Sequence, residues 1–559
     1  NFSNNRNATS NGGGAIALKN SVLNDNNGTY SNNYTASYGG ALDLNESNVT
    51  LLGTQFLTNQ SLYSGGAIEA MGSNITAVDG NFSSNQVTSN NGGGGINIEN
   101  GTLNLTRCKF SQNQSPLSGG AIYAQYTELN TTQCIFSSNQ NTSNNGGGAI
   151  ALKYSVHIDN NGTYSNNYTA SNGGALDLQE SDVTLLGTLF LNNQSLYSGG
   201  AIEALDSNIT AVDGNFSSNQ VTSNNGGGGI NIEKGTLNLT RCEFSQNQSP
   251  LGGGAIYAQF AELNTTQCIF SSNQNTSSNG GGAIALQGGS LTDQNSSFFK
   301  NYTASMGGAI EARNSIISTS NTSYTSNESV YSGGALAFKN SSPLVSKCIF
   351  TTNTSSSNSG GAIYMDSNSS PTISSCSFYT NYTIGQYGYG GALYFYQNSG
   401  VQISDSLFHG NYATTGGAFC SWGATDLTFL GCKFIANEAN ASSSSEGGVA
   451  LLSSNADQTK FVNCLISGNK ANDRNGVIKP DGSTRFVNCT LVGNQSGAEG
   501  GITILFEGDS VAFENSILWR NSGGSSGDDI YVNSQSASAS YSLFDPSKST
   551  EILNGANNL

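Results

Sequence analysis

Apolar and polar residues alternate with a period of two in short runs along the chain. Leu42 and Leu44 flank Asp43 in "GGALDLNES", Ile68 and Ala70 flank Glu69 in "GGAIEAMGS", and Ile122 and Ala124 flank Tyr123 in "GGAIYAQYT". Such alternation predicts a strand with one buried face. A second run follows each of these and ends in an aromatic residue with an asparagine three positions on: "TQFLTN" with Phe56 and Asn59, "GNFSSN" with Phe82 and Asn85, "CKFSQN" with Phe110 and Asn113. Helical spacing is absent from the pattern.

The small residue after the paired glycines recurs at Ala15, Ala41, Ala67, Gly95, Ala121 and Ala149, in steps of 26, 26, 28, 26 and 28 residues. The series restarts at Ala175, Ala201, Gly229, Ala255 and Ala283, each displaced by 134 residues from its counterpart, so a unit of five repeats has been duplicated. It continues less strictly at Ala309, Ala335, Ala362, Ala392, Ala418, Val449, Val477 and Ile502. A period of this length means a solenoid in which no repeat buries its apolar face alone. Short strands stacked about 4.8 Å apart give an all-β parallel β-helix of roughly twenty rungs, about 95 Å long. The pattern divides the chain into one continuous β-helix over 1–545 and a C-terminal cap or tail over 546–559. Within the helix, 11–278 holds the duplicated unit and 279–545 the more divergent rungs. The paired glycines suit a corner with positive φ and close backbone approach, and the asparagine after the aromatic is placed in a ladder of side-chain amides.

Composition agrees with a thin, extended core: 36% of residues are hydrophobic, 10% are charged, and 71 are glycine. A net charge of −17 argues against nucleic acid and anionic lipid as partners. No run of about 18 apolar residues offers a membrane-inserted segment. Since "NFSNNRNATS" carries no signal-peptide pattern and Asn1 is not a translation start, the chain reads as a mature or partial product. Its first residues start inside a rung, with Phe2 and Asn5 in place and nothing that reads as a cap, so this end is expected to meet another rung, either from upstream sequence or, by end-to-end self-association, from the C-terminal end of a second molecule.

The repeated Gly-Gly-Ala-Ile/Leu followed by Phe-x-x-Asn resembles the repeat pair of the chlamydial polymorphic membrane proteins and of adhesin-like right-handed parallel β-helix proteins, from Gly13 to about Phe544. The later stretches "FVNCTLVGNQSGAEGGITI" and "FENSILWRNSGGSSGDDIYV" are similar to the closing rungs of secreted pectate-lyase-like proteins. The resemblance implies a right-handed coil, surface display, adhesion or polysaccharide contact, with host or matrix glycans as partners. No C-terminal β-barrel pattern follows, so autotransport in the chlamydial manner is not expected.

Seven of the ten cysteines, Cys108, Cys134, Cys242, Cys268, Cys348, Cys376 and Cys432, stand two residues before a phenylalanine and so share its inward face. Stacked neighbours lie within the Cα range of a disulfide, which nominates Cys108 with Cys134, Cys242 with Cys268, Cys348 with Cys376 and Cys464 with Cys489; Cys420 with Cys432 remains by elimination. The alternative is that cysteine simply serves as a small buried residue in place of Thr54 or Gly80. Metal binding is not expected, because no CxxC pair occurs. Asn-x-Ser/Thr sequons are in excess, and Asn33, Asn59, Asn74, Asn104, Asn167, Asn193, Asn208, Asn238 and Asn301 are N-glycosylation candidates of an extracellular glycoprotein. Asn113 shows the conflict between a sequon and a ladder position, since a buried amide carries no sugar.

An enzyme of this fold needs convergent carboxylates on neighbouring rungs. Asp43 and Glu69, repeated as Asp177 and Glu203, fall at one outward position, but with Ala17 and Asn97 beside them and no basic residue in the stack they read as a solvated face. Asp528 and Asp529 read as a late turn, His157 and His409 as single surface or turn residues, and Gly92 to Gly95 as a corner without the Lys-Ser/Thr of a phosphate loop. Tyr123, Tyr257, Tyr364 and Tyr394 form a recurring outward aromatic position. The sequence thus predicts no catalytic, cofactor or metal residues. It favours a non-enzymatic extracellular structural solenoid that forms a fibre or appendage. An adhesin stalk and a polysaccharide-binding or polysaccharide-cleaving enzyme are the alternatives.

Overall fold

The computed structural model describes residues 1–9, 12–89, 92–143, 146–223, 226–277, 279–386, 388–440, 447–453, 458–472, 476–480, 482–497, 510–523 and 536–544. The repeat position at Ile502, Asp528 and Asp529, and the segment 546–559 lie outside them. Two compact units divide the chain, Asn1–Thr276 and Ser277–Leu559.

In the first unit a coil is built from four strand segments, as in Ile16–Lys19, Val22–Asn26, Thr29–Ser31 and Tyr34–Thr35. The next coil repeats them in parallel register, with Ile16 against Leu42, Leu23 against Val49, Tyr30 against Phe56 and Thr35 against Ser61. The sequence pattern marked two of the four. At each bend one residue is left-handed: Asn20, Asn27 and Asn32 at φ 49°, 55° and 53°, then Gly39 at 67°. Asparagine tolerates that conformation better than other side chains, and its polar group can bond locally. The two glycines of the corner answer different demands. Gly39 supplies the positive φ, whereas a Cβ on Gly40 would stand 2.0 Å from the carbonyl oxygen of Gly66 in the next coil.

Inside this unit the aromatic positions form one column from Phe2 through Tyr30, Phe56 and Phe82 to Phe270, with successive ring centroids 4.5–5.0 Å apart. Beside it an amide ladder climbs from Asn5 to Asn273. Each side chain donates from Nδ2 to the Oδ1 of the next asparagine at 2.8–3.0 Å.

The second unit uses the same plan with less even spacing. Its amide ladder runs from Asn301 to Asn521, and its aromatic column from Phe298 through Tyr324, Phe350, Phe378 and Phe408 to Phe434. Ile466, Leu491 and Leu518 then occupy the column, while a new stack of Phe429, Phe461, Phe486 and Phe513 opens on the neighbouring strand. Core volume is thereby kept as the position of the rings changes.

Candidate functional site

The outward position of the strand after each glycine corner carries Asp43, Glu69, Asn97, Tyr123, Ala151, Asp177, Glu203, Asn231 and Tyr257 in successive coils. Glu69 and Asp177 are buried and Asp43 and Glu203 half-buried, so the reading of a solvated acidic face is corrected. Glu69 is 8% exposed, its Oε2 accepting from Ser64 Oγ at 2.5 Å and its Oε1 from Asn97 Nδ2 at 3.0 Å. Glu203 repeats the arrangement with Ser198 at 2.6 Å and Asn231 at 3.0 Å. Burial pushes the carboxyls of Glu69 and Glu203 up to about 8 and that of Asp177 to about 7. Of the outward tyrosines, Tyr394 is buried and stacks on Tyr364 with ring centroids 5.7 Å apart.

His157 is also corrected: it lies inside the coil, fully buried. Its Nδ1 is 3.1 Å from the carbonyl oxygen of Leu129 and its Nε2 3.2 Å from Tyr164 Oη. Burial, outweighing the nearby Asp159, lowers its pKa. Asp159, equally buried, accepts from Thr188 Oγ1 at 2.6 Å and from the Gly162 N–H at 3.1 Å. Sequence reasoning passed over this polar group, although "SVHIDN" does place His157 and Asp159 on the inward phase of the alternation. His409 is exposed, with its ring tilted against Tyr379.

The structure separates the sequons into two sets. Asn33, Asn59, Asn167, Asn193 and Asn301 are rungs of the amide ladder, at most 1% exposed, with their amides engaged. A glycan cannot sit there in the folded chain, and these five candidates are withdrawn, as is Asn113. Asn74, Asn104, Asn208 and Asn238 stand instead on the outward phase of the long sheet.

All ten cysteines are buried thiols rather than disulfides. The expected neighbours do stack, but parallel strands in register hold their side chains side by side, and Cys108 Sγ is directed at the carbonyl oxygens of Ala77 and Thr106, 3.4 and 3.5 Å away. Contact with Cys134 holds the Cys108 thiol low and pushes that of Cys134 up. Cys242 with Cys268 and Cys348 with Cys376 behave alike. The pairing of Cys420 with Cys432 is wrong. Cys420 lies on the outward column between Tyr394 and Leu451, while Cys432 extends the Cys464 and Cys489 stack to three thiols.

In-register parallel coils with an internal amide ladder and aromatic column define a right-handed parallel β-helix. The right handed beta helix region family matches residues 255–434, and the Chlamydia polymorphic membrane protein repeat matches 107–125 and 241–259. Both repeat matches run from the residue before Cys108 or Cys242 into the strand after the glycine corner, which is the motif pair that carries the resemblance. No curated protein matches the chain.

Proposed function

We propose that the chain is a non-enzymatic structural β-solenoid displayed at a cell surface, acting as a spacer that stacks end to end into a fibre or appendage. The observation that carries this reading is the 134-residue duplication. It reproduces the main columns of the coil, Tyr30 and Tyr164, Asn59 and Asn193, Glu69 and Glu203, and so lengthens the solenoid by five coils of the same plan. Five coils lengthen a solenoid by about 24 Å. The similarity to polymorphic membrane protein repeats supports surface display. The outward carboxylates of Glu69 and Glu203, already engaged by Ser64 and Asn97 and by Ser198 and Asn231, support the non-enzymatic side, because acid–base work on a polymer needs a carboxylate that meets it. The exposed amides of Asn74 and Asn208 offer glycan attachment consistent with an extracellular location.

The test pairs labelling of intact source cells by an antibody to the chain with incubation of the purified chain on acidic and neutral polysaccharides. Surface label without new sugar ends supports the spacer. Release of reducing or unsaturated ends would move the reading to the enzyme alternative.

A further inference from the structure

The outward column of the first unit carries alanine twice, at Ala17 in its first coil and again five coils on. Between Tyr123 and Asp177, two coils and so about 9.6 Å apart, the column residue is Ala151. A cavity of about 220 Å³ opens over its methyl group, lined by Tyr123, Lys153, Asp177 and Gln179 with Ser118 and Gly146 at its edge. Asp177 is 6% exposed and receives the backbone N–H of Gly146. Among the described residues no cation pairs with it; the Lys153 ammonium lies over the Tyr154 ring, 5.3 Å from its centroid.

The duplication supplies an internal comparison, because 134 residues on, in the second unit, the same position is filled. Ala285 again faces an acid, Glu311, whose Oε2 accepts from the Gly280 N–H at 2.7 Å. There the residue two places after the acid is Arg313, where the first unit has Gln179. Its guanidinium holds Glu311 Oε1 through Nε at 2.8 Å and Nη2 at 2.5 Å. It also reaches back to Asn279, 3.4 Å away in the corner of the coil that carries Ala285. A buried carboxylate over an alanine gap is thus completed by a guanidinium in one copy and left with a cavity in the other.

The geometry points to the Ala151 gap as a binding site for a guanidinium group, presented by an arginine side chain of a partner peptide or protein. A planar guanidinium can lie along the Tyr123 ring and give paired N–H donors to the Asp177 carboxylate, which an ammonium cannot match in shape. The aliphatic stem then runs out along Lys153 and Gln179. A chain of net charge −17 draws cationic partners toward such a site. This inference stands independently of the spacer reading.

Calorimetric titration of the full chain at about pH 8.5 with N-acetyl-arginine amide and the tripeptide Gly-Arg-Gly tests it. The lysine and citrulline counterparts of the amide serve as competitors of altered charge and shape. Saturable binding of the arginine compounds is expected, at least about tenfold tighter than either counterpart. Gln179→Arg, which copies the second unit and so keeps the fold, is expected to abolish binding by filling the gap, and Asp177→Asn to weaken it by at least about tenfold. A tripeptide that binds more tightly than the free amide assigns the ligand to a polypeptide. Absence of saturable binding, equal binding of citrulline, or binding unchanged by Gln179→Arg would each overturn the assignment.

Discussion

Replacing Asn193 by alanine should unfasten the coil from within. Asn193 is fully buried, and its Oδ1 accepts both the backbone N–H of Asn167 at 3.1 Å and that residue's Nδ2 at 2.9 Å. Its own Nδ2 donates to the Tyr164 carbonyl at 2.9 Å and to Asn219 Oδ1 at 3.0 Å. Alanine leaves two donors of Asn167 and the Tyr164 carbonyl without these partners in a dry interior. Each buried group so stranded costs about 1–3 kcal/mol, for a total of about 3–6 kcal/mol after partial relaxation. Since coils couple to their nearest neighbours, the loss should be local. Hydrogen exchange read by mass spectrometry should show lost protection over the coils around Asn167, Asn193 and Asn219, with coils farther away unchanged. The matching control, Asn74→Ala on the exposed sheet face, should change stability by less than about 0.5 kcal/mol. An Asn193→Ala chain as protected and as resistant to urea as that control would refute the ladder as a source of stability.

Three further outcomes are expected. Ser195 completes the Asn193 sequon, but its buried Oγ lacks a hydrogen-bond partner, so Ser195→Ala should leave both the glycan mass and the stability unchanged; a lost glycan would mean that Asn193 is modified after all. Gly40→Ala places a methyl group 2.0 Å from the Gly66 carbonyl oxygen and should prevent normal stacking of that coil, whereas Gly468→Asn, at φ 63° with open space around its Cβ position, should be nearly neutral; equal melting temperatures for the two would contradict the division of glycine roles. Glu69 and Glu203, raised from 4.5 to about 8, keep protons in the folded chain that the unfolded chain has released, so stability falls as pH rises between those values. Each buried carboxyl contributes on the order of 4–5 kcal/mol to that fall. Urea midpoints should therefore be higher at about pH 6.5 than at about pH 9, and the Glu69→Gln, Glu203→Gln double variant should narrow the gap; an unchanged gap would place the dependence elsewhere. His157 acts in the opposite sense, since its depressed pKa costs stability below pH 6.5.

The coil was legible in the sequence wherever a side chain reports on stacking. Phe56, Phe82 and Phe110 mark the interior, Asn59, Asn85 and Asn113 the ladder, and Gly39 with Gly40 the corner, because each position has one physical demand that few residues meet. Two-residue strands such as Gln60–Ser61 were not legible, being too short to show alternation. The outward acids were misread because strand phase fixes which way Glu69 and Asp177 point but not how far they are buried. Sequons fared similarly: the same three-residue pattern occurs at buried Asn193 and exposed Asn208, and only the strand that each occupies tells them apart. The gap at Ala151 became visible only once register aligned it with Tyr123 and Asp177.

The most direct test of the spacer reading is electron cryo-microscopy of antibody-labelled source cells that carry either the full chain or one lacking residues 15–148, a single five-coil unit. The spacer reading predicts labelled surface projections that persist in both and whose repeat shortens by about 24 Å in the deletion. Label confined to the cell interior, or projections whose repeat is unaltered by the deletion, would contradict it.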